Sequence, residues 1–357
     1  MSRSGDANDA IRLLSIDGGG VRGLIVLQCL AKLERELGFR TPDIFNAYSG
    51  TSIGSIIVCF FAYLNMSAIE VMDYFIQNRL LEKYLPKSIF DYIFGVLQFR
   101  PKYSDSQRFE VLTNVFKDIT ISQTKSRVLL TGYDLIRNKT IYFTSQNNLN
   151  LDIKVVDAII ISSSAPIYFS CFRVDNFYKQ HQKEIFENIL IRSRNSDNND
   201  SDHSPDLYGV DGGIASNNPS DIAVLELLVS KPSEITVVSM GTGYVKTKVN
   251  LDNVSNWGFL KWLITGELLQ KLANGSGDIA EERCRKILNI YSNVFEIGET
   301  TYLRINGEID TSTDQIDNTK SSNLKKLRDY GDHWAINNLS NFKGACHVRS
   351  STTPTFL

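Results

Sequence analysis

Apolar residues along this chain gather in short runs, with glycine-rich turns between those runs and stripes at helical spacing. Ile11 to Ile16 (IRLLSI) is such a run. It ends in Asp17 and three glycines, which predicts a buried strand entering a tight loop. From about Arg22 to Leu37, the residues Leu24, Leu27, Leu30, Ala31 and Leu33 recur with the period of one helix face, and Gly38 supplies a stop. Ile44 to Ser49 predicts a second short strand, and Ser52 to Leu64 a helix buried on most sides. Strand, glycine turn and helix, taken twice in succession, is the rhythm of a parallel sheet with helical crossovers and so of the α/β class. Arg127 to Tyr133, Thr140 to Thr144 and Ile235 to Met240 predict further strands, and Lys154 to Ala165 a helix halted by Pro166. There is no internal repeat, and no linker long enough to divide the core.

Three segments depart from this rhythm. Ser193 to Pro205 (SRNSDNNDSDHSP) has no apolar residue to offset the entropy of ordering, which predicts a mobile surface loop. Its aspartate spacing does not fit a calcium loop. Between Leu80 and Tyr103, aromatic and aliphatic residues such as Tyr84, Phe90, Tyr92 and Phe94 are bracketed by Lys83, Lys87, Arg100 and Lys102. Trp257 to Leu272 is similarly amphipathic. Either stretch suits an interfacial or lid segment, or a helix packing its apolar face on the core.

Bulk properties narrow the function classes. A net charge of −2 argues against a nucleic-acid partner, which favours a basic surface. Five scattered cysteines without a CxxC pair fit reduced thiols in a cytoplasmic protein better than a disulfide frame or a zinc site. The first ten residues are too polar for a secretory signal. The longest apolar run, Ile53 to Leu64, is too short to span a bilayer.

The candidate chemistry lies in three glycine motifs. Gly50-Thr51-Ser52-Ile53-Gly54 has the form of a nucleophile elbow, in which a serine on a sharp strand-to-helix turn faces the positive end of the next helix. A helix N-cap in a glycine turn is the plainer alternative. Asp17-Gly18-Gly19-Gly20-Val21-Arg22-Gly23 formally satisfies GxGxxG, yet the same backbone can serve as an oxyanion hole with Arg22 adding positive charge. Asp211-Gly212-Gly213 alone reads as a turn. A serine nucleophile needs a base, and none of His181, His203, His333 and His347 sits in a local motif.

In this order, the three motifs resemble the patatin-like phospholipases. The similarity continues through Ser162-Ser163-Ser164-Ala165-Pro166, Met240-Gly241-Thr242-Gly243, Trp257-Gly258 and Tyr302-Leu303-Arg304-Ile305, over about Ile11 to Phe342. The resemblance implies a three-layer α/β/α domain over 11–342 with a central, mostly parallel sheet, a polar tail at 1–10 and a C-terminal tail at 343–357. It implies Ser52 as nucleophile, Asp211 as base, an oxyanion hole from Gly18, Gly19, Gly20 and Arg22, and Gly23, Gly50, Gly54, Gly212 and Gly213 as motif glycines. Neither cofactor nor metal is implied. Membrane phospholipid is the expected substrate, met by transient association with the bilayer. Three other readings remain open here: a Ser-Asp-His triad using His333 or His347, a dinucleotide-binding oxidoreductase, and a non-catalytic lipid-binding protein. Whether a regulatory ligand or oligomer controls the protein is not legible.

Overall fold

The IRLLSI run forms β1 (Ile11–Ile16) near the centre of one eight-stranded sheet. The other strands are β2 (Ala47–Gly50), β3 (Arg127–Asp134), β4 (Lys139–Thr144), β5 (Phe172–Val174), β6 (Leu207–Asp211), β7 (Ile235–Met240) and β8 (Thr300–Ile305). Their order is β5-β6-β3-β2-β1-β7-β8, with β4 also paired to β3. The five strands from β3 to β8 along this path are parallel, whereas β4 and β6 each pair antiparallel with β3 and β5 pairs antiparallel with β6, so the sheet is mixed. The computed structural model describes residues 10–85, 101–146, 153–180, 204–245, 267–295 and 299–347. The first nine residues, most of the Leu80 to Tyr103 segment, the polar loop up to residue 203, His181, and Trp257 with Trp262 lie outside them.

Eleven helices flank the sheet among the described residues: α1 (Gly23–Leu37), α2 (Thr41–Ile44), α3 (Ile53–Leu64), α4 (Ala68–Gln77), α5 (Leu80–Tyr84), α6 (Asp105–Phe116), α7 (Val155–Ser162), α8 (Phe177–Gln180), α9 (Ser220–Leu228), α10 (Glu267–Phe295) and α11 (Ser321–Ala345). Side chains alternate across a strand, so one strand feeds two cores. Ile11, Leu13, Ile235 and Val237 pack with Leu227 of α9 and Leu288 of α10. Leu14, Ile16, Val238 and Met240 belong to the larger core that includes α1, α3, α4, α7 and α11. The result is the expected three-layer α/β/α arrangement. Among the described residues no single helix is long and apolar enough to cross a membrane.

Several boundaries differ from the sequence reading. The second strand begins at Ala47 rather than Ile44, because Pro42 at the start of Thr41–Ile44 favours a helical turn there. Helix α7 ends at Ser162, three residues before Ala165, where the Ser163 and Ser164 hydroxyls donate to the Ile159 and Ile160 carbonyls, both at 2.6 Å. At the other end of the chain, α11 continues past Phe342 to Ala345, and Cys346 is buried.

Glu34, on α1, joins this helix to its neighbours. One of its carboxylate oxygens accepts from the Thr41 amide (2.6 Å), the Thr41 hydroxyl (2.7 Å) and the Ala68 amide (2.8 Å), and the other accepts from the Ile69 amide (3.0 Å). A buried carboxylate thereby satisfies orphan donors at the start of two helices, α2 and α4. Glu34→Ala strands those donors, so denaturant titration should show a loss of roughly 2–4 kcal/mol. Glu34→Gln should lose less, since its amide retains one acceptor oxygen.

Candidate active site

Strands β2, β1 and β7 end level with one another, as Ile16 is in register with both Gly50 and Met240. The crevice beyond these carboxyl ends lies where the connections leave the sheet in opposite directions, the usual ligand position of an open α/β sheet. Just past β2, Ser52 takes φ 55° and ψ −121°, a region costly for a residue with a side chain. The turn is possible only because its neighbours lack Cβ atoms. A Cβ on Gly54 would lie 2.3 Å from the Ile16 carbonyl oxygen, and one on Gly50 would lie 2.5 Å from the Gly54 carbonyl carbon.

A second strand end meets this turn head-on. Residues Leu129 and Leu130 of β3 pair with both β2 and β4, and Gly132 to Asp134 pair with both β6 and β4. Strands β2 and β6 therefore share one edge of β3, running toward each other from opposite ends. Gly50 pairs with Leu130 and Asp211 with Gly132, so Thr131 alone separates them in register. Thr131 Oγ1 is 2.8 Å from Thr51 Oγ1, whose hydroxyl also contacts the Ser216 carbonyl. Gly212 packs directly on Thr131.

This arrangement sets the Ser52 hydroxyl beside the Asp211 carboxylate, close enough to lower its pKa. Asp211 Oδ1 also accepts from the Gly213 amide at 2.7 Å. Burial pushes the Asp211 carboxyl up to about 6, against the opposing pull of the Gly213 amide, the Ser52 hydroxyl and the Arg108 guanidinium. A carboxylate tuned in this way is suited to accept a proton near neutral pH.

The Asp17–Arg22 loop lies against Ser52. A Cβ on Gly18 would come within 3.3 Å of Ser52 Cβ. The Gly18 amide is spent on the Asn217 carbonyl at 3.1 Å, and its own carbonyl accepts from the Thr242 hydroxyl at 2.7 Å. Among the described residues, the Gly19, Gly20 and Ile53 amides have no acceptor. Gly20 holds φ +58°, and Gly23 packs against Ile53. Arg22 is buried and pairs with Asp314 at 3.2 Å. Asp17 turns away from the crevice into a buried ion pair, receiving two Arg304 hydrogen bonds of 2.8 and 2.6 Å. Arg304 also donates to Ser239 Oγ at 2.8 Å, which fixes the loop to β7 and β8.

Above Ser52 and Asp211 opens a cavity of about 190 Å³, walled mainly by Ile53, Ile56, Leu81, Tyr84, Leu85 and Phe169. Such an apolar wall beside a few polar groups suits an acyl chain. Neither described histidine lines it. His333 is exposed on α11 and contacts Asn337, and His347 is exposed near Glu234 and Glu299. His181 and His203 lie outside the described residues.

The patatin-like phospholipase model matches residues 14–224, which include the glycine loop, the serine turn and Asp211. The chain belongs to the patatin-like phospholipase family. Patatin-like protein 1 of Arabidopsis thaliana is 28% identical over 368 residues, covering 92% of this chain and 82% of that protein. The cGAMP-activated phospholipase of Vibrio cholerae is 27% identical over 261 residues, covering 65% of this chain and 64% of that one. Among solved structures, human GIVD cytosolic phospholipase A2 aligns with a TM-score of 0.45 at 9% identity, over 96% of this chain and 59% of that chain. As a patatin-like phospholipase the protein is a lipid ester hydrolase, which displaces the dinucleotide-binding reading of its glycine loop and the reading of the chain as a non-catalytic lipid-binding protein.

The sequence reading missed Arg108, which is fully buried and whose charge acts on Asp211. Its signal was available, because Arg108, Leu112 and Phe116 are the buried positions of α6 and fall four residues apart. A charged residue on the apolar face of a helix needs buried partners to be tolerated.

Proposed function

We propose that this patatin-like phospholipase cleaves carboxylic esters of membrane phospholipids through an acyl-enzyme formed by a Ser52–Asp211 dyad. The observation that carries this reading is the Ser52 hydroxyl set beside a buried Asp211 carboxylate raised to about 6, both at the floor of one apolar cavity. Asp211 takes the hydroxyl proton as Ser52 Oγ bonds to the ester carbonyl carbon. The oxyanion is held by the Gly19 and Gly20 amides, with Ile53 beside them and Arg22 adding positive charge. Collapse expels the lysolipid alcohol, which takes the proton back from Asp211. Water then attacks the acyl-enzyme as Asp211 accepts its proton, the acyl–Oγ bond breaks to release the fatty acid, and Asp211 returns the proton to Ser52 Oγ. Hydroxyl, carboxylate and amides thus cover attack, proton transfer and charge stabilisation, so the reaction is metal-independent. A substrate held in a bilayer calls for transient membrane contact by a cytoplasmic protein.

The dyad makes a pH prediction with a definite sign. Only ionised Asp211 can accept the serine proton, so kcat/KM should rise with pH through an acid limb near 6. The test follows fatty-acid release from mixed phospholipid vesicles by mass spectrometry, in wild type and in a variant with all four histidines replaced. The dyad requires both enzymes to release fatty acid with the same acid limb. Loss of activity on replacing His333 or His347 in a folded protein would favour a triad.

A further inference from the structure

Between the two halves of the dyad runs a strap of three serines, Ser162 to Ser164, at the C-terminal end of α7. Ser162 Oγ accepts the Ser52 amide at 3.1 Å. The Ser164 carbonyl accepts the Asp211 amide at 3.0 Å. Ser163 Oγ lies 2.5 Å from the hydroxyl of Tyr84, which lines the cavity. One three-residue segment thus touches the nucleophile, the base and the acyl wall.

Arg108 holds this strap from behind. Its guanidinium donates to Ser164 Oγ at 2.8 Å and to the Ser163 carbonyl at 3.3 Å, with a longer contact to the Ile160 carbonyl at 3.5 Å. Asp105, one turn earlier on α6, binds it at 2.7 to 2.8 Å. The guanidinium lies 4.0 Å over the ring of Phe169, another cavity residue. The Arg108 side chain has no exposure, whereas its partner Asp105 is 30% exposed. An ordinary packing role asks for an apolar residue here, since replacing a buried ion pair with well-packed hydrophobic side chains is often neutral or stabilising.

We infer that Arg108 is a positioning residue for the reaction. It fixes the Ser162–Ser164 strap that sets Ser52 against Asp211, and it supplies a buried positive charge toward the Asp211 carboxylate. This inference rests on the dyad reading. The ionisable groups that face Asp211 are Arg108 from α6 and Tyr84 from α5. The Arg22–Asp314 and Lys102–Asp317 pairs lie farther around the cavity, and the cationic pull on Asp211 comes from Arg108 rather than from them. Arg108 is thus the cation whose loss changes the field at Asp211.

The two contributions separate by substitution. Arg108→Met removes charge and hydrogen bonds together. It should lower kcat by roughly 10- to 100-fold and move the acid limb of kcat/KM upward by on the order of one pH unit, with KM little changed. Ser164→Ala keeps the charge but releases the strap, so kcat should fall about 10-fold with the acid limb unmoved. Arg108→Lys keeps the charge and loses the fork, and should behave like Ser164→Ala. Wild-type kcat and acid limb in folded Arg108→Met overturn the inference. If that variant does not fold, wild-type kcat in both Arg108→Lys and Ser164→Ala overturns it instead. Asp211→Asn, assayed alongside, separates the two levels. An active Asp211→Asn enzyme sinks the dyad itself, whereas an inactive one beside unaffected Arg108 and Ser164 variants removes only the role of Arg108.

Discussion

Ser52→Ala and Asp211→Asn should each lower kcat on phospholipid vesicles by about 10³-fold or more, with little change in binding. The two losses should not add. Either substitution removes the same proton transfer, so the double variant should be about as slow as the worse single one. Ser52→Ala leaves no atom to form the acyl-enzyme. Asp211→Asn keeps an oxygen to accept the Gly213 amide but offers no base to the hydroxyl. Stability should move the other way for Asp211→Asn. Burial raises the folded-state carboxyl to about 6 from its ordinary 3.8. The unfolded chain therefore releases its proton more readily, and ionised Asp211 lowers stability increasingly as pH rises from the ordinary value to about 6. Removing that charge should raise stability at neutral pH by on the order of 1–3 kcal/mol, read as a higher Tm. A variant that is more stable and inactive is the mark of a group kept for chemistry rather than for folding. Retained turnover by either folded variant, or an unchanged or lower Tm for Asp211→Asn, would count against this description.

Gly54→Ala should damage fold and activity together. Its added methyl would sit 2.3 Å from the Ile16 carbonyl oxygen and 2.9 Å from that of Asp17, both backbone atoms that cannot rotate aside. Relief requires α3 to move off β1, at a cost of roughly 2–4 kcal/mol. That shift carries Ser52, the residue before α3, away from Asp211, and a misplacement near 1 Å costs on the order of 10²-fold in rate. Gly275 on α10 supplies the control. Nothing lies within 4 Å of a Cβ there, so Gly275→Ala should be neutral or slightly stabilising. Thermal unfolding and kcat of the two variants side by side check the claim. A Gly54→Ala protein with wild-type Tm and activity would show that the turn has room the geometry denies it.

The sequence made the central layer legible because its periodicity is undiluted. IRLLSI and ITVVSM become β1 and β7, two adjoining strands in which every residue but Arg12 is buried. Helix α1 carries an unbroken apolar stripe ended by Gly38 in the left-handed conformation, as its spacing predicts. Elements at the margins were not legible. Strand β6, LYGVD, is five residues long, contains a glycine and follows a polar loop, so no window around it has a strand period. Strand β8 lies at the sheet edge, and five of its six residues are only half-buried. Helix α11 carries Gly331, which reads as a breaker until α1 is found packed against it.

The site follows the same division. Ser52 and the glycine loop stand out because steric crowding leaves a local mark in the sequence, glycines at fixed offsets from a serine. Asp211 is harder to read, as it meets Ser52 only through strand pairing to β3, a contact between residues 159 positions apart. Its Asp-Gly-Gly motif gains meaning from the resemblance to a family. Arg108 leaves no short motif, because it acts through tertiary contacts made by a single residue on an otherwise ordinary helix.

The central claim is that Ser52 is the nucleophile and Asp211 the group that activates it. Reaction with a long-chain alkyl fluorophosphonate, followed by peptide mapping in a mass spectrometer, tests both halves at once. A single phosphonyl adduct on Ser52 is the predicted result, formed at the wild-type rate in the variant lacking all four histidines and at least about 10²-fold more slowly in Asp211→Asn. An adduct on a different residue, or equally fast labelling of Ser52 in folded Asp211→Asn, would contradict it.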